Sequence, residues 1–201
     1  MMHYEIKYCK DTPNWKNIPC VQMTHTYLDT PDTISAYAQA AWNENGIMLH
    51  LCTKEPETRA VESGALGNPC EDSCLEFFFC PVENDKRYMN VEFNSNGCVF
   101  TGMGSDGNTL MRFVSAENQP LITPQINKFD GGWEIFYTFP CELVKRIFPD
   151  FELYEGKKVS GNFFKCADLG NFPHYMSWSK ITREPFTFHY SECFGALSFV
   201  K

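Results

Sequence analysis

The sequence of 201 residues predicts an all-β fold, an antiparallel β-sandwich of two sheets, jelly-roll-like, with one or two short helices. Three observations carry this. Apolar and polar residues alternate along several short segments, as in strands whose two faces meet different surroundings. Turn signals rich in Gly, Pro, Asn and Asp separate those segments. Rings are abundant, with 18 Phe, 9 Tyr and 4 Trp, which suits pleated surfaces.

Residues 36–43, AYAQAAWN, and 46–53, GIMLHLCT, flank the turn ENG and read as a hairpin. In its second strand Ile47, Leu49 and Leu51 point one way, and Met48, His50 and Cys52 the other. The stretch KEPETRAVESGALGNPCED, 54–72, carries few large apolar residues and reads as a surface loop. SCLEFFFCP, 73–81, reads as a central strand with Leu75, Phe77 and Phe79 on one face. The other face holds Cys74, Glu76, Phe78 and Cys80. RYMNVEFNSNG, 87–97, alternates Met89, Val91 and Phe93 with Tyr88, Asn90, Glu92 and Asn94, and NSNG turns the chain into CVFTGMG. GGWEIFYTFP (131–140), VSGNFFKCAD (159–168) and FGALSFV (194–200) read as further strands. CELVKRIF (141–148) reads as a short helix with Leu143, Val144, Ile147 and Phe148 on one side. No repeat, low-complexity tract or linker interrupts the pattern, so a single domain over 1–201 is expected.

Composition narrows the function. Hydrophobic residues make up 43% and charged residues 21%, the balance of a globular chain. A net charge of −8 with no Lys/Arg cluster argues against nucleic acid. No apolar run approaches the ~18–20 residues of a membrane span. The start, MMHYEIKYCKDTPNW, has no basic segment leading into an apolar one, so no signal peptide is read there and a cytoplasmic location is expected. None of the 10 cysteines forms a C-x-x-C pair, which excludes zinc-ribbon and thioredoxin readings. Free, mostly buried thiols are expected, as in a reducing compartment.

Taken in order, EDSCLEFFFCP, YMNVEFNSNG, GGWEIFYTFP and GNFFKCAD…PHYMSWSKI…PFTFHYSECFGALSFV resemble the carbohydrate-binding module family 9-like proteins. The motifs run from about Ala36 to Val200. The resemblance implies a β-sandwich and non-catalytic binding of a xylan- or cellulose-type oligosaccharide or chain end. Such modules accompany glycoside hydrolases in polysaccharide catabolism and hold sugar between aromatic rings. It implies no required cofactor, and a structural calcium as in some members of the family. It places the acidic residue of the family's DSxE strand on Glu76 and its C-terminal aromatic on Trp178. The second ring of the clamp is implied six residues ahead of Glu76, where this chain has Cys70.

Sugar recognition needs flat rings against pyranose C–H faces, and planar polar groups for the hydroxyls. The candidate ligand-binding residues are Trp178, Glu76, Arg87, Asn90, Glu92, Asn162 and His174. For Arg87, Asn90 and Glu92 a solvated outer face is an equal reading. In HYMSWS, alternation puts His174, Met176 and Trp178 opposite Tyr175, Ser177 and Ser179. Trp178 is expected at a cleft rim with its face open, and Tyr175 turned away. Burial of Trp178 in the core is the competing reading. Two other functions stay open. One is a small glycoside hydrolase or esterase using the same cleft, with Glu76 and Glu92 as the carboxylates a glycoside hydrolysis would need. The other is a β-sandwich interaction module without sugar binding. A Cys166–His174 nucleophilic pair lacks an orienting third group.

Overall fold

The computed structural model describes residues 2–105, 110–113, 121 and 123–201. Among these, the strands in chain order are β1 (His3–Tyr8), β2 (Val21–Gln22), β3 (His25–Tyr27), β4 (Ser35–Asn43), β5 (Gly46–Lys54), β6 (Cys74–Cys80) and β7 (Tyr88–Asn94). They continue as β8 (Val99–Gly104), β9 (Met111–Arg112), β10 (Gln125–Phe129), β11 (Gly132–Pro140), β12 (Lys158–Ala167), β13 (His174–Ser177) and β14 (Gly195–Val200). The α-helix α1 spans Cys141–Lys145, within the expected segment, and 3₁₀ turns lie at Trp15–Asn17, Pro69–Glu71 and Ser191–Cys193.

Hydrogen bonds join the strands in the order β10-β11-β5-β4-β1-β14-β12-β6-β7-β8-β9. This continuous path curls so that its halves face each other as the layers of a sandwich. The β4–β5 hairpin forms as expected, with Asn43 opposite Gly46. Two further turns need a left-handed backbone and place glycine there, Gly97 at φ 82° and Gly131 at φ 76°. One feature departs from a wholly antiparallel fold. β1 runs parallel to both β14 and β4 and joins the two layers.

Alternation decides what fills the space between the layers. One layer supplies Leu75, Phe77 and Phe79, Met89, Val91 and Phe93, and Phe163, Leu197 and Phe199. The other supplies Ile47, Leu49 and Leu51, Trp133, Ile135, Tyr137 and Phe139. Rings meet across the gap, with Phe79 5.2 Å from Phe139 and Phe93 5.1 Å from Tyr137 between centroids. Each buried large side chain of this kind contributes roughly 1.5–3 kcal/mol.

The opposite face of β6 and β7 is also out of water. The polar set Asn90, Glu92 and Asn94 is buried, contrary to the solvated-face reading. The segment 181–194 folds back over β6 and β12 and builds a second apolar cluster. Ile181, Phe188, Tyr190, Cys193 and Phe194 there cover Cys74, Phe78, Cys80, Tyr88, Phe164 and Cys166.

Candidate functional site

Between that outer face and the 181–194 segment lies a cavity of about 410 Å³. This is within the ~300–1,000 Å³ of small-ligand sites. Its floor is the row Glu76, Glu92 and Phe100 across β6, β7 and β8. Register sets Phe164 opposite Glu76, Glu76 opposite Glu92, and Glu92 opposite Phe100. Asn68, Cys70, Cys166, Asp168, Thr187 and His189 add to the polar lining, and Phe100, Tyr175, Phe186 and Phe188 supply rings.

The long 54–72 loop forms one wall because Asp72 ties it down. The buried Asp72 carboxylate accepts from the Val61 and Glu62 backbone N–H groups at 2.9 and 2.8 Å and from Asn94 Nδ2 at 2.7 Å, and it pairs with Arg59. Arg112 donates to the carbonyls of Ala65 and Gly67 at 3.1 and 2.8 Å while lying 4.5 Å over the Phe100 ring. The 3₁₀ turn Pro69–Glu71 then carries Cys70 to the cavity. Its carbonyl accepts from Asp168 N–H at 2.9 Å, which docks the loop on the segment after β12.

The floor is poor in positive charge. No Lys or Arg lines the cavity among the described residues. Burial pushes the Glu76 carboxyl up to about 7, against a hydrogen bond from the Cys166 thiol at 3.0 Å. Burial, then the Glu76 charge, raises Glu92 well above the usual carboxylate range. Burial raises Asp168 too, and bonds from Tyr175 and Cys70 oppose it. Burial lowers His189 to about 4, so at neutral pH its imidazole is uncharged, with Nδ1 2.7 Å from the Tyr88 hydroxyl. Such a surface offers carboxyl acceptors, and donors where a carboxyl holds its proton, to hydroxyls, and has no cation among its described lining residues to draw an anion.

The ring positions reverse the sequence expectation. β12–β13 register puts Tyr175 opposite Cys166, on the cavity side, half-buried and aimed at the site. Trp178 is 1% exposed. It packs edge-on to Tyr4 and tilted against Phe163, with ring centroids at 6.3 and 5.9 Å, between the layers. Gly195 leaves it room, since a Cβ there would come within 2.5 Å of the indole. Alternation separated Tyr175 from Trp178 correctly, but the core took the larger ring.

Glu76 and Glu92, whose separation the sequence does not set, come together in the cavity. Asn90 stays just outside it and positions Glu92, donating from Nδ2 to Oε1 at 2.7 Å. Arg87 lies elsewhere, held on the surface by Asp85 at 2.6 Å and stacked 5.1 Å over Phe148. Asn162 is a buried clamp. It donates to the Ser179 carbonyl and accepts from the Ser179 and Phe163 N–H groups, fixing the turn after Trp178. His174 faces the interlayer side, where Lys165 Nζ donates to its Nε2 at 2.8 Å. The ring is therefore neutral, with its Nδ1 proton given to the Phe172 carbonyl at 2.6 Å. Burial, then Lys165, lowers it to about 4.

Sequence reasoning missed Phe100, Asp168, Tyr175, Phe186, Phe188 and His189. The alternation of PFTFHY, with Phe186, Phe188 and Tyr190 two apart, was the available signal. No cluster of three acidic side chains among the described residues offers a site to the calcium implied by resemblance. Calcium takes about 6–8 oxygen ligands. Among the described residues, the group of three His, Cys, Asp or Glu donors close enough to share an ion is Cys74, Glu76 and Cys166, two of them sulfur.

Comparison with known proteins accords with this architecture. Among curated protein sequences none matches the chain. A protein from Bacteroides uniformis ATCC 8492, assigned to carbohydrate binding without a named sugar, superposes with a TM-score of 0.83 at 29% identity over 98% of each chain. A family 9 carbohydrate-binding module from Caldicellulosiruptor kristjanssonii, solved with glucose, superposes at 0.68 with 11% identity, over 98% of this chain and 95% of that one. Its complex with cellotriose gives 0.67 at 10% identity, over 99% and 94%. At those identities the likeness is one of fold. The sequence profile of carbohydrate-binding family 9 matches residues 9–199, and the chain belongs to that family.

Proposed function

We propose that the cavity over Glu76 and Glu92 binds a neutral sugar without cleaving it, as a short β-linked glucan or xylan oligosaccharide or its chain end. The observation that carries this is the row Glu76–Glu92–Phe100 under the half-open ring of Tyr175. Carboxylates there accept from sugar hydroxyls, and rings cover the C–H faces. The glucose and cellotriose held by the Caldicellulosiruptor module support the sugar class. Cys70 stands at the wall in place of the second ring implied by resemblance, so the grip is one-sided and the affinity modest. The many free thiols support a reducing compartment, with soluble oligosaccharides of carbohydrate catabolism as the ligands.

Calorimetric titration with cello- and xylo-oligosaccharides tests this. Binding is expected, and Glu76→Ala should weaken it by roughly 1.5–3 kcal/mol, the worth of a charge-assisted bond. Absence of binding to both series overturns the sugar class.

A second reading rests on the same two carboxyls. They share one desolvated surface, and the raised pKa of Glu92 suits a proton donor. Release of reducing ends from these oligosaccharides, abolished in Glu92→Gln, would favour a hydrolase over a binding protein.

A further inference from the structure

Under the cavity, two cysteines and a carboxylate converge. Cys74 and Cys166 are directly opposite on β6 and β12, and Glu76 follows two residues after Cys74 on the same face. One donor atom from each lies within 4.8 Å of the others, and Cys166 Sγ is 3.0 Å from Glu76 Oε1. All three side chains are buried. Lys165, next to Cys166, points to the other face and is committed to Glu55 at 3.1 Å. Among the described residues Glu76 forms no ion pair. A buried carboxylate is normally paired or bound to a metal, and here its close partner is a thiol.

We propose that Cys74, Cys166 and Glu76 form a binding site for a soft divalent cation of the zinc type, with its remaining coordination position open to the cavity. Zn²⁺ takes thiolate at about 2.3 Å and carboxylate at about 2.0–2.2 Å in tetrahedral geometry. A tetrahedral edge between such ligands is roughly 3.5–3.8 Å, and donors 3.0 Å apart and all within 4.8 Å of one another reach it by side-chain adjustment. Two sulfurs exclude calcium and magnesium, which select oxygen. Binding releases the two thiol protons, and that of Glu76 where it is protonated, to solvent. The ion supplies the positive charge that this face lacks. Glu76 and Cys166 line the cavity floor while Cys74 lies beneath it, so the cavity is the entry path. The site stands on this donor set whether or not the cavity takes sugar.

The test uses metal-free, fully reduced full-length protein. Zn²⁺ titrated against a chromophoric chelator should bind at one equivalent, with protons released in proportion. Co²⁺ should give the intense visible bands of a tetrahedral site and a thiolate charge-transfer band in the near ultraviolet. Cys74→Ala and Cys166→Ala should each halve that band. Each should also lower Zn²⁺ affinity by more than about 100-fold, beyond the loss of an outer-shell partner. Glu76→Gln should weaken Zn²⁺ while leaving the charge-transfer band. Cys52→Ala and Cys141→Ala, buried elsewhere, should change nothing. Should an alanine variant fail to fold, as judged by circular dichroism, the isosteric Cys74→Ser and Cys166→Ser take its place. Absence of one-equivalent binding, a Co²⁺ spectrum without thiolate charge transfer, or affinity that survives loss of Cys166 overturns the site.

Discussion

Glu76 and Glu92 stand directly opposite on adjacent antiparallel strands, both at most 5% exposed, on the face that floors the cavity. Two carboxyls so placed cannot both ionise cheaply. Because folding raises the Glu76 pKa from 4.5 to about 7, the folded state holds the proton more tightly. Stability from this group is therefore full below the unfolded value and is lost as pH rises through about 7. At 1.36 kcal/mol per unit the loss is on the order of 3 kcal/mol. His174 and His189, lowered to about 4, act oppositely, with stability rising as pH rises between about 4 and 6.5. Denaturation of wild type and Glu76→Gln from pH 4.5 to 8.5 cancels the histidines. The difference should turn in favour of the variant as pH rises, and a pH-independent difference would remove the argument.

Trp178 and Tyr175 should separate stability from binding. Trp178→Ala empties a filled interlayer site and should cost roughly 3–5 kcal/mol in unfolding free energy. Tyr175→Ala should cost about 1 kcal/mol of stability and weaken oligosaccharide binding about tenfold, or 1.4 kcal/mol. Chemical denaturation and calorimetry on both variants give the comparison. Equal effects on stability would mean that Tyr175 is also a core residue.

Lys165 and Glu55 form an ion pair at 3.1 Å with both side chains at most 1% exposed. Glu55 also accepts from Trp133 Nε1 at 3.1 Å and bonds Ser73. Lys165→Met leaves that carboxylate buried without its cation and should cost about 3–5 kcal/mol. Adding Glu55→Gln should return part of the loss. A double variant no more stable than the single one would show that packing of the lysine stem, not charge, matters here.

Asp72 should govern the shape of the cavity wall. Asp72→Ala removes four bonds to the 54–72 loop and to Asn94 and should cost roughly 3 kcal/mol. Hydrogen exchange should speed up at the Val61 and Glu62 amides, and sugar affinity should fall as Cys70 and Asn68 lose their anchorage. Protected amides in this variant would mean that Arg112 and the backbone bond from Asp168 to Cys70 suffice to hold the loop.

Much of the fold was legible because strict alternation leaves a strand little choice. Met89, Val91 and Phe93 had one apolar face to offer, and it fills the core. The parallel pairing of β1 was not legible, since a six-residue strand carries no mark of its partner's direction. For the candidate site, Glu76 and Glu92 were legible as polar residues on strand faces, but their pairing across β6 and β7 was not. Trp178 was misread because alternation says which residues share a side and not which side faces the core. That choice was made by Tyr4 and Phe163, far away in sequence. Arg87, Asn162 and His174 were misplaced for the same reason. Polar groups on a strand satisfy distant backbone and charge partners as readily as a ligand.

The strand joining the layers also sets the order in which the chain can fold. β1 finds β14 across nearly the whole sequence, with His3 bonded to Ser198 at a separation of 195 residues. During synthesis β1 emerges before the other described strands and waits for this partner until they have been made. The hairpins β4–β5, β6–β7 and β7–β8 can form locally meanwhile, but the barrier to closing the sandwich belongs to this long-range step. Until then the exposed edge of β14's future neighbour, β12, is open to pairing with another chain, the interval in which the protein most needs protection from aggregation.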